Sequence, residues 1–240
     1  MIRAIGLVVP AHDEEELLPG CLDALRRSAG RCGTRPVHTI VVADACRDST
    51  TQHARAAGAV VAEIEAGRVG SARATGFAAA LRLTAGTDPS QVWLATTDAD
   101  TLVPPHWLAR QVGYAEAGWD AVLGTVTIRD WSGHPGHVRE VFAARYAHEM
   151  ESHPHVHGAN LGVRASAYLA AGGFQALPTG EDHALAAALE AAGRPILSST
   201  DLAVETSARR QARAPHGFGY RLASLGSSGR ARRQRSSSPP

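Results

Sequence analysis

Apolar runs and helical stripes alternate along the first hundred residues. Four short apolar runs predict β-strands, at 5–10, 39–43, 60–64 and from Val92 onwards. Three stretches with helical spacing of apolar residues predict the intervening helices, at 14–27, 48–57 and 69–84. Asp13 is expected to be the N-cap of the first of these helices. Such alternation predicts an α/β fold with a mostly parallel central sheet and helices on both faces.

The second half of the chain continues this pattern less regularly. Three helices are predicted at 105–118, 138–150 and 182–192, and two strands at 121–128 and 196–204. From Gly226 the chain is rich in Ser, Gly and Arg, which predicts a disordered basic tail. We therefore expect a single domain over residues 1–225 and a tail over 226–240.

The fourth apolar run ends in two carboxylates, Asp98 and Asp100, with Pro104 and Pro105 shortly after them. Ligands of open α/β sheets bind at the carboxyl ends of strands. Two acidic side chains at such an end, with threonines beside them, suit a hard divalent cation bound through oxygen. The alternative is a polar strand end at which Asp98 caps the next turn.

Composition and charge exclude several kinds of function. The formal net charge of +1 provides no field for binding a nucleic acid. The chain contains no lysine, which excludes a Schiff-base lysine and a phosphate-loop lysine. The first crossover loop, 10–15, lacks the glycines of a dinucleotide-binding fold, which argues against a Rossmann dehydrogenase.

Cysteine content and hydropathy indicate the cellular compartment of the protein. The three cysteines lack metal-site spacing, and their odd number argues against a disulfide framework. The N-terminus has no signal-peptide segment, and no apolar run reaches membrane-spanning length. We expect a cytoplasmic protein without a transmembrane segment; peripheral attachment to a membrane stays open.

Five stretches in the same order resemble the family 2 glycosyltransferases of the GT-A fold. They are the first strand and loop at 8–15, the second strand and its acidic turn at 41–50, the Asp-x-Asp segment at 97–101, the segment 158–164 continuing to 172–174, and the Glu-Asp pair at 180–182. The resemblance covers about residues 4 to 220. It departs at Ala43, where many relatives carry another Asp, and at Ala45-Cys46 in place of Gly-Ser.

The resemblance implies a nucleotide-diphosphate sugar donor, with a UDP-sugar favoured. Asp44 would accept a hydrogen bond from the base, and the residues implied to surround the donor are Pro10, Ala11, Glu14, Asp44, Arg68, Arg73, Asp98 and Ala99. A guanidinium suits a phosphate or a carboxylate. Arg73, among small residues, is expected to point inward, whereas Arg68 could equally be a solvated helix-end residue. Glu14 could equally be a charge in the first turn of a helix.

The resemblance also implies a divalent cation, Mn²⁺ or Mg²⁺, and a catalytic base. Asp100 would be the main ligand of the cation, and Asp98 would bind either the ribose or the cation through water. His216 in a late loop would be a further ligand of the cation. Asp182 would be the general base that takes the proton of the attacking acceptor, which implies inversion. The alternative is that Glu181 and Asp182 only cap the helix that follows them.

The acceptor side is implied by the segment around residue 158 and by the Glu-Asp pair. Its residues would be His157, Gly158, Asn160 and Glu181. His153, His155 and His157 alternate, so in an extended chain they share one face. They indicate a polar loop beside the acceptor in preference to a metal site. The acceptor itself, a small molecule or a lipid-linked one, is not readable.

Two rival functions follow from related folds. A sugar nucleotidyltransferase should carry a Gly-rich loop with a basic residue after the first strand, and residues 10–15 lack one. A degenerate nucleotide-sugar-binding protein would not need Asp98, Asp100 and Asp182 together. No Gln-x-x-Arg-Trp motif follows residue 200, which argues against a processive polysaccharide synthase.

Overall fold

The computed structural model of the protein describes residues 1–128, 130–152, 155–177 and 179–208. The predicted tail from 226 onwards and His216 lie outside these ranges. Within them, no helix is both long and apolar enough to cross a lipid bilayer.

One mixed sheet runs through the described chain. Its strands are β1 (Ala4–Ala11), β2 (Val37–Asp44), β3 (Val60–Ile64), β4 (Val92–Thr96), β5 (Ala121–Ile128), β6 (Leu161–Arg164) and β7 (Ile196–Thr206). Their order across the sheet is β3-β2-β1-β4-β6-β5-β7. Strand β6 is antiparallel to β4 and to β5, whereas the other neighbouring pairs are parallel. The predicted mostly parallel sheet is confirmed.

Helices cover both faces of this sheet. They are α1 (Leu18–Ala29), α2 (Thr50–Ala56), α3 (Val69–Leu83), α4 (Trp107–Glu116), α5 (Gly136–Ser152), α6 (Ala165–Ala170) and α7 (Glu181–Ala191). Residues of α1, α2 and α4 share one apolar core with the sheet, and residues of α3, α6 and α7 share the other. All eight residues of β1 are buried, as expected of a central strand covered on both faces.

The first helix does not begin where the sequence predicted. Helix α1 begins at Leu18, and Asp13 is not its N-cap. Asp13 has a left-handed backbone with φ of 49°, and the backbone N–H of Glu14 donates to Thr50 Oγ1 at 2.7 Å. A long-range contact with the next loop therefore overrides the local helical pattern of 14–17.

Two short elements were not predicted from the sequence. Strand β6 has four residues and helix α6 has six, so neither carries enough periodicity to be recognised. Strand β6 matters for the site because a 3₁₀ turn at Gly158–Asn160 leads directly into it, beside β4.

Helix α3 packs unusually close to the sheet. A Cβ at Gly76 would overlap a methyl group of Val8 and lie 3.0 Å from one of Val42, and a Cβ at Gly6 would lie 2.5 Å from Ala80 Cβ. Close-packed interiors cannot absorb such overlaps without backbone shifts. The two glycines thus set the distance between α3 and strands β1 and β2.

We expect Gly76→Ala to lower the free energy of unfolding. Alanine favours a helix over glycine by about 1 kcal/mol, but forcing a methyl group into this contact costs about 1–3 kcal/mol. Urea unfolding followed by circular dichroism measures the difference.

The matched control is Gly113→Ala in α4, where a Cβ would meet no atom within 4 Å. It should stabilise the protein by roughly 0.4–1 kcal/mol. Equal effects of the two substitutions would contradict the proposed close contact at Gly76.

Candidate active site

Three parallel strands end side by side at one edge of the sheet. Ala11 at the end of β1 pairs with Ala43 near the end of β2, and Val8 of β1 pairs with Thr96, the last residue of β4. Asp44 ends β2, and Asp98 follows β4 by two residues. The carboxyl ends of parallel strands are where ligands of such sheets gather, so this edge is the candidate site.

Thr97 determines where the acidic segment leaves the sheet. Its backbone N–H donates to Val8 O at 3.2 Å, and its buried hydroxyl donates to Ala159 O at 2.8 Å. Asp98, the next residue, keeps 37% of its side chain exposed, whereas Ala99 packs into a hydrophobic core. The segment is therefore anchored on both sides, and it leaves the Asp98 carboxylate partly exposed.

Strand β7 holds the segment that carries Asp100. Leu102 and Glu205 exchange two backbone hydrogen bonds of 2.7 and 3.0 Å. The hydroxyls of Thr101 and Thr206 lie 3.4 and 3.5 Å from Asp100 Oδ1. The position of Asp100 thus depends on a strand that follows it by about one hundred residues.

The guanidinium of Arg73 lies at the centre of the site and is 3% exposed. Its Nη2 donates to Asp98 Oδ1 at 2.5 Å, and its Nη1 donates to Glu181 Oε1. Glu181 is itself 3% exposed. Burial by itself would lower the pKa of Arg73, but the carboxylates of Asp98, Glu181 and Asp182 more than compensate and raise it. The expected inward direction of Arg73 is confirmed, and its partners are the motif carboxylates.

Gly158 packs directly against this guanidinium. A Cβ at Gly158 would overlap Cζ and both terminal nitrogens of Arg73. The backbone N–H of Gly158 donates to Asp182 Oδ2 at 2.8 Å. The segment before β6 therefore links Arg73 to the predicted base.

Asp182 is the second residue of helix α7, whose N-cap is Gly180 with a left-handed backbone at φ of 76°. Its Oδ1 accepts a hydrogen bond of 2.8 Å from the backbone N–H of His183. The positive end of the helix favours a carboxylate at this position. Glu181 and Asp182 take different partners, so the two acidic residues have separate positions in the site.

The buried part of the site contains more carboxylates than positive charges, since Arg73 is its buried basic residue. Burial raises the pKa of Asp98 to about 6; Arg73 opposes this shift, while Asp100 and Glu181 add to it. A carboxylate with a raised pKa beside other carboxylates is a favourable place for a bound cation.

The residues present fit a hard divalent cation. Asp98 and Asp100 supply carboxylate oxygens, the donors that Mg²⁺ and Mn²⁺ prefer. Among the described residues, no other His, Cys, Asp or Glu completes a group of three close ligand atoms with them. His216, the expected further ligand, lies outside the described ranges.

A second group of ligand atoms lies between the first two crossover loops. Atoms of Asp13, Cys46 and Asp48 lie within 4.8 Å of one another. Their hydrogen bonds join the loops: Asp13 Oδ1 accepts from Arg47 N at 2.7 Å, and Asp48 Oδ2 accepts from Glu15 N at 3.0 Å. Sequence spacing could not reveal this group, because its members come from different loops.

The carboxylate of Asp44 organises the turn before helix α3. Its Oδ1 accepts from the backbone N–H groups of Ala66 and Gly67 at 2.7 and 2.9 Å, and its Oδ2 accepts from Arg68 N at 3.0 Å. Asp44 is 5% exposed. Any contact with a base must use the lone pairs that these three hydrogen bonds leave.

The other residues assigned to the donor surround the same edge. Pro10 and Ala11 are buried at the end of β1, and Glu14 is 9% exposed in the loop that follows. Arg68 is exposed at the start of α3 and donates to Ala176 O at 3.5 Å. The guanidinium of Arg68 is thus accessible to solvent, unlike that of Arg73.

Asn160 is fully buried, so its side chain does not face an acceptor. Its Oδ1 accepts from Trp107 Nε1 at 2.8 Å, and its Nδ2 donates to Thr125 O and Leu202 O at 2.8 and 2.5 Å. These contacts lie where the pairing of β5 with β7 shifts register. The structure corrects the expectation for this side chain: it supports the site from the core.

His157 and an aromatic row border the site on the side of Asp182. His157 Nε2 lies 3.1 Å from Tyr146 Oη, and His155 stacks on Tyr146 with a centroid distance of 4.0 Å. Phe142 stacks on Tyr146 at 5.2 Å, and Trp131 packs on Phe142. His153 lies outside the described residues. The row consists of half-buried rings. The polar acceptor-side loop expected of these histidines stays a prediction.

The sequence model of Glycosyl transferase family 2 matches residues 7–169, more than half of the chain. No curated protein matches the sequence.

Several solved structures share the fold at low sequence identity. TarS 1–349 of S. aureus with UDP-GlcNAc is 14% identical, with a TM-score of 0.63 over 95% of this chain and 66% of that one. PcManGT of Pyrobaculum calidifontis, a mannosyltransferase with GDP-Man and Mn²⁺, is 19% identical, with a TM-score of 0.60 over 99% and 76%. Glucosyl-3-phosphoglycerate synthase of Mycobacterium tuberculosis with Mn²⁺ and UDP is 16% identical, with a TM-score of 0.50 over 94% and 76%.

Such similarity establishes the fold. These solved proteins are GT-A glycosyltransferases, so the predicted GT-A fold is confirmed. The chain spans between 37% and 66% of the length of the four TarS chains that it matches.

We expect Asp44→Ala to lower the free energy of unfolding by roughly 3 kcal/mol, about the contribution of one hydrogen bond to a charged acceptor. The loss stays below the sum of three bonds because residues 66–68 are exposed, so water can replace part of what their N–H groups lose. The variant leaves the N–H groups of Ala66, Gly67 and Arg68 without this acceptor. Chemical denaturation measures the change.

Asp130→Ala is the control, since Asp130 is an exposed loop carboxylate that accepts from Ser132 N at 2.8 Å. Its effect should stay within about 0.5 kcal/mol. Wild-type stability of Asp44→Ala would show that the turn at 66–68 does not need its carboxylate.

Proposed function

The chain belongs to glycosyl transferase family 2, and from this premise we propose that it transfers a sugar from a nucleotide-diphosphate donor to a hydroxyl or amine of an acceptor. The observation that carries this proposal is the meeting of three separate motif segments at one sheet edge. Asp98 after β4, Gly158 before β6 and Glu181 at the start of α7 all contact Arg73. Their convergence supports an active site in preference to three unrelated surface turns.

The donor would lie across the carboxyl ends of β1 and β2. Its base would occupy the space between the loop from Pro10 to Glu14 and the turn at 66–68 that Asp44 holds. The exposed guanidinium of Arg68 suits the diphosphate. Similar solved proteins hold UDP-GlcNAc, UDP or GDP-Man. We favour a UDP-sugar, as the sequence implied.

Asp98 and Asp100 would hold a divalent cation, Mn²⁺ or Mg²⁺. Mn²⁺ accompanies the nucleotide in two of the similar solved proteins. Such a cation offsets the charge that develops on the departing diphosphate. His216 is the proposed further ligand from the late part of the chain.

Asp182 would be the general base. The acceptor oxygen attacks the anomeric carbon, the bond from that carbon to the diphosphate oxygen breaks, and the acceptor proton passes to Asp182. The electron pair of the broken bond leaves with the diphosphate, and direct displacement inverts the anomeric configuration. The hydrogen bonds from Gly158 and His183 orient the carboxylate for this step.

The acceptor would enter beside His157 and Gly158, between Asp182 and the aromatic row. In this proposal Asn160 and Glu181 support the acceptor side from within the protein, since both are buried. A small-molecule acceptor and a lipid-linked one both fit a surface of half-exposed rings. The cytoplasmic location expected from the sequence stays a prediction.

A screen of nucleotide sugars tests the function directly. Thermal unfolding with and without Mn²⁺ identifies the donor, because a ligand that binds only the folded state raises the unfolding midpoint. Release of nucleoside diphosphate with a panel of acceptors then measures transfer. Donor binding without any release would favour the degenerate binding protein, and formation of a nucleotide sugar from a sugar phosphate would favour the nucleotidyltransferase.

We expect Asp100→Ala to abolish cation-dependent turnover while the unfolding midpoint of the cation-free protein stays near that of the wild type. The reason is that Asp100 is a proposed ligand of the cation, and its side chain is half-buried and not part of a hydrophobic core. Steady-state turnover against Mn²⁺ concentration measures this. Cation affinity of the wild type should also fall as the pH drops through about 6, where Asp98 becomes protonated.

Asp88→Ala is the matched control, because Asp88 precedes the opposite end of the same strand, where it accepts from Ser90 N. It should leave the dependence on Mn²⁺ unchanged. Full turnover of Asp100→Ala in a chelating buffer would remove Asp100 from the cation site.

We expect Asp182→Asn to bind the donor nearly normally while turnover falls by roughly 10²–10⁴-fold, the usual effect of losing a general base. Asparagine can still accept from Gly158 N, but it cannot take the proton of the acceptor. Steady-state transfer and calorimetric titration with the donor separate the two effects.

Glu190→Gln, an exposed residue in the last turn of the same helix, is the control and should turn over normally. Near wild-type turnover of Asp182→Asn would contradict the base assignment. Loss of donor binding in that variant would move Asp182 to the donor site and favour a retaining mechanism.

A further inference from the structure

The guanidinium of Arg73 is enclosed by the protein and does not lie open to a donor. It is 3% exposed, and its two terminal nitrogens are engaged with Asp98 and Glu181. Its Nε is buried and has no hydrogen-bond partner among the described residues. Gly158 covers the guanidinium so closely that even a methyl group in its place would overlap it. A sugar diphosphate would have to displace one of these groups to reach Arg73.

The same guanidinium contacts three of the segments that the proposed reaction needs. One nitrogen binds the carboxylate proposed to face the cation, and another binds the first residue of α7. The glycine that covers the guanidinium donates its N–H to Asp182. A single guanidinium therefore lies between the cation side of the site and the base.

We propose that Arg73 is a positioning residue that couples the cation site at Asp98 to the base at Asp182, and that it does not bind the donor. This inference rests on the proposed function. It replaces the donor contact that the resemblance to the family implied for Arg73.

The planar fork of an arginine explains why this residue type is present. Two carboxylates on its two terminal nitrogens are held at a fixed separation, which the single ammonium of a lysine cannot reproduce. Because Arg73 engages Asp98 Oδ1, the other oxygen, Oδ2, is the one left to face a cation. Any movement of Asp98 on cation binding is transmitted through the guanidinium to Glu181 and, through Gly158, to Asp182.

The test compares Arg73→Lys with the wild type in three measurements. Mn²⁺ affinity is measured by paramagnetic resonance of the free ion, and turnover and donor KM are measured at saturating Mn²⁺. The unfolding midpoint of the cation-free protein is measured as well. We expect Mn²⁺ affinity and kcat each to fall by about 10–100-fold, the usual effect of losing a residue that orients a metal ligand, with little change in donor KM.

Arg164→Lys is the matched control. Arg164 forms the ion pair with Asp120 at 2.8 Å and pairs with Trp93, near the start of β4 and so at the opposite edge of the sheet. It should lower the unfolding midpoint but leave kcat and Mn²⁺ affinity unchanged. The same pattern in Arg73→Lys would overturn the proposal, because it would reduce Arg73 to a stabilising ion pair. A rise in donor KM with unchanged Mn²⁺ affinity would also overturn it, in favour of a donor contact.

Glu181→Gln keeps the proposal testable if Arg73→Lys does not fold. Glutamine keeps an acceptor for Arg73 but loses the charge that holds the guanidinium, so the coupling predicts weaker Mn²⁺ binding although Glu181 is no proposed ligand. Unchanged Mn²⁺ affinity in Glu181→Gln would contradict the coupling. Where Arg73→Lys does fold, the double variant should bind Mn²⁺ about as weakly as Arg73→Lys alone, and independent effects would contradict the coupling. Mn²⁺ titration needs no turnover, so a failure of the proposed sugar transfer is distinguished from a failure of this inference.

Discussion

The ion pairs of Arg73 are the interaction on which the rest of the site depends. A guanidinium that is 3% exposed is stable only while its charge is compensated, and Asp98 and Glu181 provide that compensation. Removing one partner of a buried pair typically costs about 3–5 kcal/mol, since the other charge is left uncompensated. Helix α3, the end of β4 and the start of α7 are therefore held in one arrangement by electrostatics as well as by packing.

Charge balance connects this arrangement to the proposed chemistry. The carboxylates of Asp98, Glu181 and Asp182 surround the buried guanidinium of Arg73. Asp100 lies close to Asp98. Burial raises the pKa of Asp98, and the carboxylates of Asp100 and Glu181 add to this shift. A divalent cation would favour the charged form of Asp98 instead. The apolar surroundings of the sheet edge strengthen each of these interactions relative to water.

Local sequence signals were reliable where short-range physics decides the structure. The strand β3 and the strand β5 have the predicted bounds, and α7 begins within one residue of the prediction. These local signals were wrong where hydrogen bonds to a distant part of the chain determine the backbone conformation. The loop after β1 follows its hydrogen bonds to the next loop instead of its helical pattern, and Asp44 turned out to bind three backbone N–H groups that follow it by more than twenty residues.

The sequence by itself determined the alternation of strands and helices, the GT-A fold, the family and the acidic strand end at Asp98 and Asp100, because these depend on periodicity and on the order of motifs. The tertiary structure alone decided which motif residues touch one another. The contacts of Arg73 with Asp98 and Glu181 span 25 and 108 residues, and that of Gly158 with Asp182 spans 24. Such contacts form because α3, the end of β4 and the start of α7 lie close together at one edge of the sheet. No local pattern along the chain predicts which of these elements will lie together.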